Sequence, residues 1–214
     1  MTAEISQTLD RGLRLLEIVV EQPGGLGIGE LAERLGVGRT VVYRLVATLE
    51  AHALVRRDGE GRVRLGLGVL TLTQASEPLL RQLALPVLHE LADVVGATAH
   101  LTRAEGDDGV AVAVVEPRWT DYHVGYREGA RHPLTKGASG RAILAGRTDE
   151  AAAVRSSGEL QAGAHGVAAP VLGFPGMELS IGVVSLAPLD HTAELAVLNA
   201  AATLQQLGRS ELQD

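Results

Sequence analysis

Between Gly29 and Gly66 the chain reads GELAERLGVGRTVVYRLVATLEAHALVRRDGEGRVRLG. Ile28, Leu31, Ala32 and Leu35 recur at helical spacing, and Gly36 stands where a helix would end in a left-handed residue. A second helix is expected from Arg39, with Val42, Leu45, Val46 and Leu49 inward and Arg39, Thr40, Tyr43, Arg44 and Ala47 outward. Leu54-Val55-Arg56-Arg57 and Arg62-Val63-Arg64-Leu65 then flank Asp58-Gly59-Glu60-Gly61. Gly-rich turn chemistry between alternating runs predicts a hairpin. Helix, tight turn, helix and basic hairpin in that order predict a winged helix-turn-helix, a module that lays one helix in the major groove of DNA. An amphipathic helix pair alone is common in small domains; its combination with a basic wing is what makes the pattern specific. The expected DNA-binding residues are Arg39, Thr40, Tyr43 and Arg44 on the helix, facing base edges and phosphates, with Arg57, Arg62 and Arg64 on phosphates beside the groove.

Ahead of this stretch, Leu9, Leu13, Leu16 and Val20 share one helical face, and Pro23-Gly24-Gly25 stops that helix.

The charge distribution agrees with a polyanion partner at one end of the chain. Net charge is −7 over 214 residues. Residues 34–64 nevertheless hold seven arginines against Glu50, Asp58 and Glu60, a local excess of four positive charges. Residues 67–214 hold ten basic and seventeen acidic residues and so carry the whole deficit. Cysteine is absent, which excludes disulfides and thiolate metal sites and fits a reducing compartment. No apolar run approaches the roughly 18 residues that cross a bilayer. The N-terminal MTAEISQTLDRG lacks a basic region followed by an apolar one. A cytoplasmic protein with no membrane partner is expected. Aromatics are 2% of the chain, so its cores must be built from Leu, Val, Ile and Ala.

Beyond the hairpin, residues 67–81 read as a helical linker, and 84–95 as an amphipathic helix with Leu88, Leu91, Ala92 and Val95 inward. Strands are expected at Thr98–Arg103 and Gly109–Val115, joined by Glu105-Gly106-Asp107-Asp108, and another at Tyr122–Tyr126. A helix near 138–146 precedes strands at Val167–Leu172 and Leu179–Leu186. Asp190 or Thr192 should cap a final helix reaching about Leu207. Helices on an antiparallel sheet make the fold class α+β. The loop Pro133-Leu134-Thr135-Lys136-Gly137-Ala138-Ser139-Gly140 opens a helix with small residues. Free N–H groups at such an end attract a carboxylate or phosphate; the competing reading is a helix cap packed close against a strand.

The chain resembles the isocitrate lyase regulator (IclR) family of bacterial transcription factors. Its first helix, TLDRGLRLLEIV, its core motif, IGELAERLGVGRTVVYRLVATLEAHALVRRD, and its wing end, GRVRLGLGVL, are similar to that family's DNA-binding module. LALPVLHELADVVGATAHLT, HPLTKGASGRAILAG, GELQAGAHGVAAPVL and the C-terminal helix match its effector-binding domain in order, so the likeness covers nearly the whole chain. The resemblance implies a winged helix-turn-helix DNA-binding domain at 1–66, a helical linker at 67–82, and an effector-binding and oligomerisation domain at 83–214 with a GAF-like antiparallel sheet flanked by helices. It implies that the amides of Ala138 and Ser139 hold a small effector, and it places His132, Ser156, Gly166 and Ser185 on the pocket wall. The implied partners are a double-stranded, palindromic DNA operator, a small acidic or aromatic metabolite, and further copies of the chain in a homodimer or homotetramer.

Two departures bear on the pocket. Lys136, the only lysine in the chain, replaces the family's usual small residue; it either adds a cation beside the anion loop or is an exposed lysine at its edge. Only nine residues separate Gly146 from Ser156, where the family carries a longer helical excursion that helps cover the pocket. A ligand-independent DNA-binding protein with a degenerate pocket is therefore the alternative to a sensor. Catalysis is not expected, because Gly137-Ala138-Ser139-Gly140-Arg141 departs from the nucleophile-elbow pattern, which needs glycine where Arg141 stands. The seven histidines form no H-x-x-x-H pair, so no metal site or cofactor is expected either.

Overall fold

The computed structural model describes residues 5–73, 76–120 and 124–211. The chain forms two compact units, one ending at Ser76 and the other beginning at Glu77.

In the first unit α1 (Gln7–Val20), α2 (Ile28–Leu35) and α3 (Arg39–Ala51) precede the antiparallel hairpin of β1 (Val55–Arg57) and β2 (Val63–Leu65), followed by α4 (Gly68–Thr73). Glu30 in the first turn of α2 accepts the Gly27 N–H at 2.7 Å, and Gly36 closes that helix with φ +66°. The core holds Leu15, Val19, Leu26, Leu31, Val42, Leu45, Val46, Leu49, Val55 and Val63. The expected inner face of α3 is therefore the buried one. Helix α1 docks through Gly12, Leu15 and Val19, while Leu9, Leu13 and Val20 are 63%, 52% and 56% exposed. α1 carries two apolar stripes, and periodicity alone could not tell which one meets α2 and α3.

In the second unit α5 (Ser76–Val95) leads into a six-stranded antiparallel sheet of order β5-β4-β3-β8-β7-β6. The strands are β3 (Thr98–Glu105), β4 (Asp108–Val115), β5 (Arg131–Pro133), β6 (Val154–Ser157), β7 (His165–Val171) and β8 (Leu179–Ser185), with α6 (Gly137–Gly146) and α7 (His191–Glu211). The α+β expectation holds. Helix α5 runs through Pro86 instead of starting near it, as one turn can lose the hydrogen bond that proline cannot donate when the helix is packed. Val124, Gly125 and Tyr126 form no strand, against expectation, and residues 122 and 123 lie outside the described ones. Pairing with β4 is instead made by β5, at Arg131 to Pro133. Asp190 caps α7 by accepting the Ala193 N–H at 3.0 Å.

Alternation along the strands sorts the sheet into two faces. Ala99, Leu101, Val167, Ala169, Ile181 and Val183 form a core with Leu88, Leu91, Val197 and Leu204 of α5 and α7. The intervening residues Thr98, His100, Thr102 and Ser180 point the other way and are buried as well. On that face Ala168 packs with Ala138 and Ala142 of α6. Gly140 lets α6 fold back against the loop that leads into it, since a Cβ there would lie 2.6 Å from the Leu134 carbonyl oxygen.

Candidate nucleic-acid interface and ligand cavity

Helix α3 buries Val42, Leu45, Val46 and Leu49 and leaves Arg39, Thr40, Tyr43 and Arg44 exposed on its opposite face. One stripe holds the helix while the other is free to read a groove. The Arg57 guanidinium lies 5.6 Å from the Tyr43 ring centroid and its Nε is 3.5 Å from Glu50 Oε1, so it joins the wing to this helix. Arg62 and Arg64, expected on phosphates, are engaged inside the unit. Arg62 Nη2 donates to the Gly25 carbonyl at 2.6 Å, and Arg64 Nε donates to Asp58 Oδ2 at 2.7 Å.

In the second unit a cavity of about 280 Å³ opens between the polar sheet face and the start of α6. His132, Ala138, Ser139, Ser156 and Gly166, assigned to the pocket from sequence, all line it. Lys136 and Ser185 do not. Lys136 is the exposed residue preceding α6, which favours the loop-edge reading. Ser185 accepts the Ala187 N–H at 3.0 Å, and its neighbour Val184 takes the wall position. A shift of one residue along a strand turns a side chain to the other face.

The cavity polar groups form a buried network. Ser139 Oγ and His132 Nε2 are 3.1 Å apart, and Ser180 Oγ donates to the Ser139 carbonyl at 3.0 Å. Thr102 Oγ1 and His100 Nδ1 are 3.3 Å apart, and the Tyr126 ring meets His100 edge-on at 5.1 Å between centroids. Burial first, and then the charge of nearby His132, lower the His100 pKa to about 4, so its ring is neutral at pH 7. Burial also pushes the Tyr126 hydroxyl above its ordinary value.

The first amides of α6 have internal partners. Gly137 N–H donates to Glu159 Oε2 at 2.9 Å and Ala138 N–H to Ser156 Oγ at 3.0 Å. Arg141 Nη2 lies 2.9 Å from Glu159 Oε1. A resident carboxylate thus stands at the helix end where an effector carboxylate was expected. His100, Tyr126, Glu159 and Val184 line the cavity without having been assigned to it. The signal for His100 and Val184 lay in strand alternation; Glu159 sits in a loop with no periodicity to place it. Among the described residues no group of three or more His, Cys, Asp or Glu could hold a metal ion, and no helix is long and apolar enough to cross a membrane.

A three-helix unit with a basic wing and, in the same chain, a six-stranded sheet with a small cavity on one face make a winged helix-turn-helix module followed by a separate α+β domain. Residues 8–59 match the IclR helix-turn-helix domain, and residues 72–155 match the C-terminal domain of the bacterial transcriptional regulator IclR. The chain belongs to the IclR family of bacterial transcriptional regulators. It is 31% identical over 141 residues to the HTH-type transcriptional regulator KipR of Bacillus subtilis, covering 65% of this chain and 56% of that protein. It is 27% identical over 148 residues to the transcriptional repressor IclR of Escherichia coli, covering 67% of this chain and 54% of that one. The chain thus spans little more than half the length of these curated relatives. Among solved structures, an IclR-family regulator from Rhodococcus sp. shares the fold with a TM-score of 0.66 at 20% identity, over 98% of this chain and 95% of that one. An IclR homologue from Microbacterium hydrocarbonoxydans complexed with 4-hydroxybenzoate does so with a TM-score of 0.55 at 19% identity, over 95% and 100% of the two chains.

Proposed function

We propose that this chain is a cytoplasmic regulator that binds a palindromic operator as a homodimer or homotetramer, and that a small acidic metabolite in the cavity modulates its operator affinity. The observation that carries the sensing half is the convergence of His132, Ser139, Ser156 and Gly166, distant in sequence, on one cavity of about 280 Å³. That volume lies at the small end of ligand pockets and suits a single-ring acid. The ligand of the Microbacterium homologue is of that size. The reading half is supported by the exposed polar stripe of α3. Effector binding acts through differential affinity for the operator-bound and unbound arrangements.

Self-association is supported by apolar side chains left in solvent. Leu9, Leu13 and Val20 of α1, with Leu67, Leu70 and Leu72 around α4, are each more than half exposed. Isologous pairing through these residues would present two recognition helices to a two-fold operator. A repressor role is part of the proposal, supported by the repressors among the relatives.

The internal partners of the Gly137 and Ala138 amides favour one alternative, a regulator whose pocket holds only its own groups and which binds DNA without an effector. A gel shift of the DNA flanking its own gene, repeated with a panel of carboxylic and aromatic acids, decides between them. The sensor reading expects a specific shift that at least one acid alters and that Ser139→Trp makes insensitive. A specific shift unaffected by every acid, with no acid raising the melting temperature, would establish the alternative.

A further inference from the structure

The wing carries four arginines, Arg56, Arg57, Arg62 and Arg64, and charge alone would let any of them meet a phosphate. Their surroundings divide them. Arg62 Nε and Nη2 both donate to the Gly25 carbonyl, at 3.1 and 2.6 Å. Arg64 Nε donates to Asp58 Oδ2 at 2.7 Å and its Nη1 to the Pro23 carbonyl at 3.2 Å. Asp58 also accepts the N–H groups of Glu60 and Arg62, each at 3.0 Å. The Arg64 guanidinium first, and then these amides, hold its carboxyl below the usual range.

The backbone follows the same seam. Leu26 and Val63 exchange both hydrogen bonds, at 3.0 and 2.8 Å. Gly25 takes φ +75°, and a Cβ there would lie 2.7 Å from Arg64 Cγ. The turn between α1 and α2 is therefore fastened to the wing through Arg62, Arg64 and the Leu26–Val63 bridge.

Each of these guanidiniums spends two of its three nitrogens on the unit itself, so it is held in place with fewer N–H groups left for a phosphate. Arg56 has no such engagement. Val55 enters the core, so Arg56 points outward and is exposed. It faces Arg64 across the hairpin and makes no ion pair among the described residues. Two arginines directly opposite repel. Asp58 neutralises Arg64 and leaves the charge of Arg56 uncompensated. Arg57 stays with the recognition helix, on Tyr43 and Glu50.

We propose that Arg56 is the wing's phosphate contact, and that Arg62 and Arg64 are positioning residues that set the angle of the wing through Asp58 and the Pro23–Gly25 turn. This rests on the DNA-binding reading above and replaces Arg62 and Arg64 as phosphate contacts. The wing then acts as a rigid bracket, fixed at its base by two arginines and touching the DNA backbone with a third.

The test is fluorescence anisotropy of the chain on a labelled mixed-sequence duplex over a range of salt concentrations. Each phosphate contact contributes about 0.9 to the slope of log affinity against log salt for each bound chain. Arg56→Gln is expected to lower the slope by that amount, and Arg56→Lys to restore it. Arg62→Gln and Arg64→Gln are expected to weaken binding with the slope unchanged. Asp58→Asn keeps an acceptor for the turn amides and removes one negative charge, yet it should weaken binding roughly ten-fold, the lower end of the worth of one charge-assisted hydrogen bond. An Arg64 that touched phosphate would bind tighter once freed from its acid. An unchanged slope in Arg56→Gln, a lowered slope in Arg64→Gln or Arg62→Gln, or tighter binding by Asp58→Asn overturns the assignment. Circular dichroism confirms that each variant is folded. No binding by the unaltered chain at low salt overturns the DNA-binding reading, and the assignment with it.

Discussion

In the first unit every buried side chain among the described residues is aliphatic, from Leu15 to Val63, whereas the second unit buries Thr98, His100, Thr102, His132, Ser139 and Ser180. The charged groups of the first unit lie on its surface, where a large polyanion can reach them. The second turns polar groups inward, where only a molecule small enough to enter can meet them. Buried polar groups are tolerated when each has a partner. Here the hydroxyls of Thr98, Thr102, Ser139 and Ser180 all find one. The contrast separates two ways of building a recognition surface. An aliphatic core frees an outer stripe for a partner, while a polar interior must be kept satisfied until a ligand takes part.

The largest effect should come from the aliphatic core. Leu31 is 0% exposed, and Leu31→Ala should cost about 2–5 kcal/mol and abolish DNA binding by unfolding the helices that hold α3. Urea unfolding followed by tryptophan-independent circular dichroism measures the loss; a cost under about 1 kcal/mol would mean the site collapses without a cavity.

The polar interior should fail in acid. The His100 pKa falls from 6.5 to about 4 on folding, so the fold favours the neutral ring. Its contribution is complete above the unfolded value and is lost as pH drops from 6.5 toward about 4, on the order of 3 kcal/mol in all. Unfolding midpoints across that interval should fall in the unaltered chain and flatten in His100→Gln. Equal slopes in both would remove His100 as the source.

The outer stripe of α3 should matter for affinity and little for stability. Arg44→Ala is expected to lose about 1–3 kcal/mol of discrimination between operator and unrelated DNA, read from competition binding, while the melting temperature stays within a degree or two. A change in melting without a change in discrimination would place Arg44 in the scaffold.

The smallest effect belongs to Glu159. Glu159→Gln should cost about 0.3–1 kcal/mol, since the Gly137 amide keeps an acceptor while the helix end loses a charge. The same variant should bind benzoate more tightly in calorimetry, because like charges at the α6 terminus no longer repel. Unchanged benzoate affinity would show that the resident carboxylate does not compete with an acid.

Most of the fold was legible because its signals are local. Gly36 with helical apolar spacing on both sides marked α2 and α3, Gly-rich turns marked two hairpins, and Asp190 marked the start of α7. Five of the seven assigned pocket residues, His132, Ala138, Ser139, Ser156 and Gly166, line the cavity, because the loop before α6 and the alternation of β7 carry them there. Ser185 missed by one residue, since the 173–178 turn that sets the register of β8 has no signal fine enough to count it.

By itself, then, the sequence determined the order and type of the elements, the polar stripe of α3 and the basic character of the wing, all set by neighbours within a few residues. Only the tertiary structure decided which stripe of α1 is buried, which wing arginines are held, and what occupies the end of α6. Those outcomes rest on contacts between distant parts of the chain: Gly137 with Glu159 at a separation of 22 residues, Gly25 with Arg62 at 37 and Pro23 with Arg64 at 41. A guanidinium or carboxylate takes whichever partner docking brings within hydrogen-bond reach, and no local pattern encodes that choice.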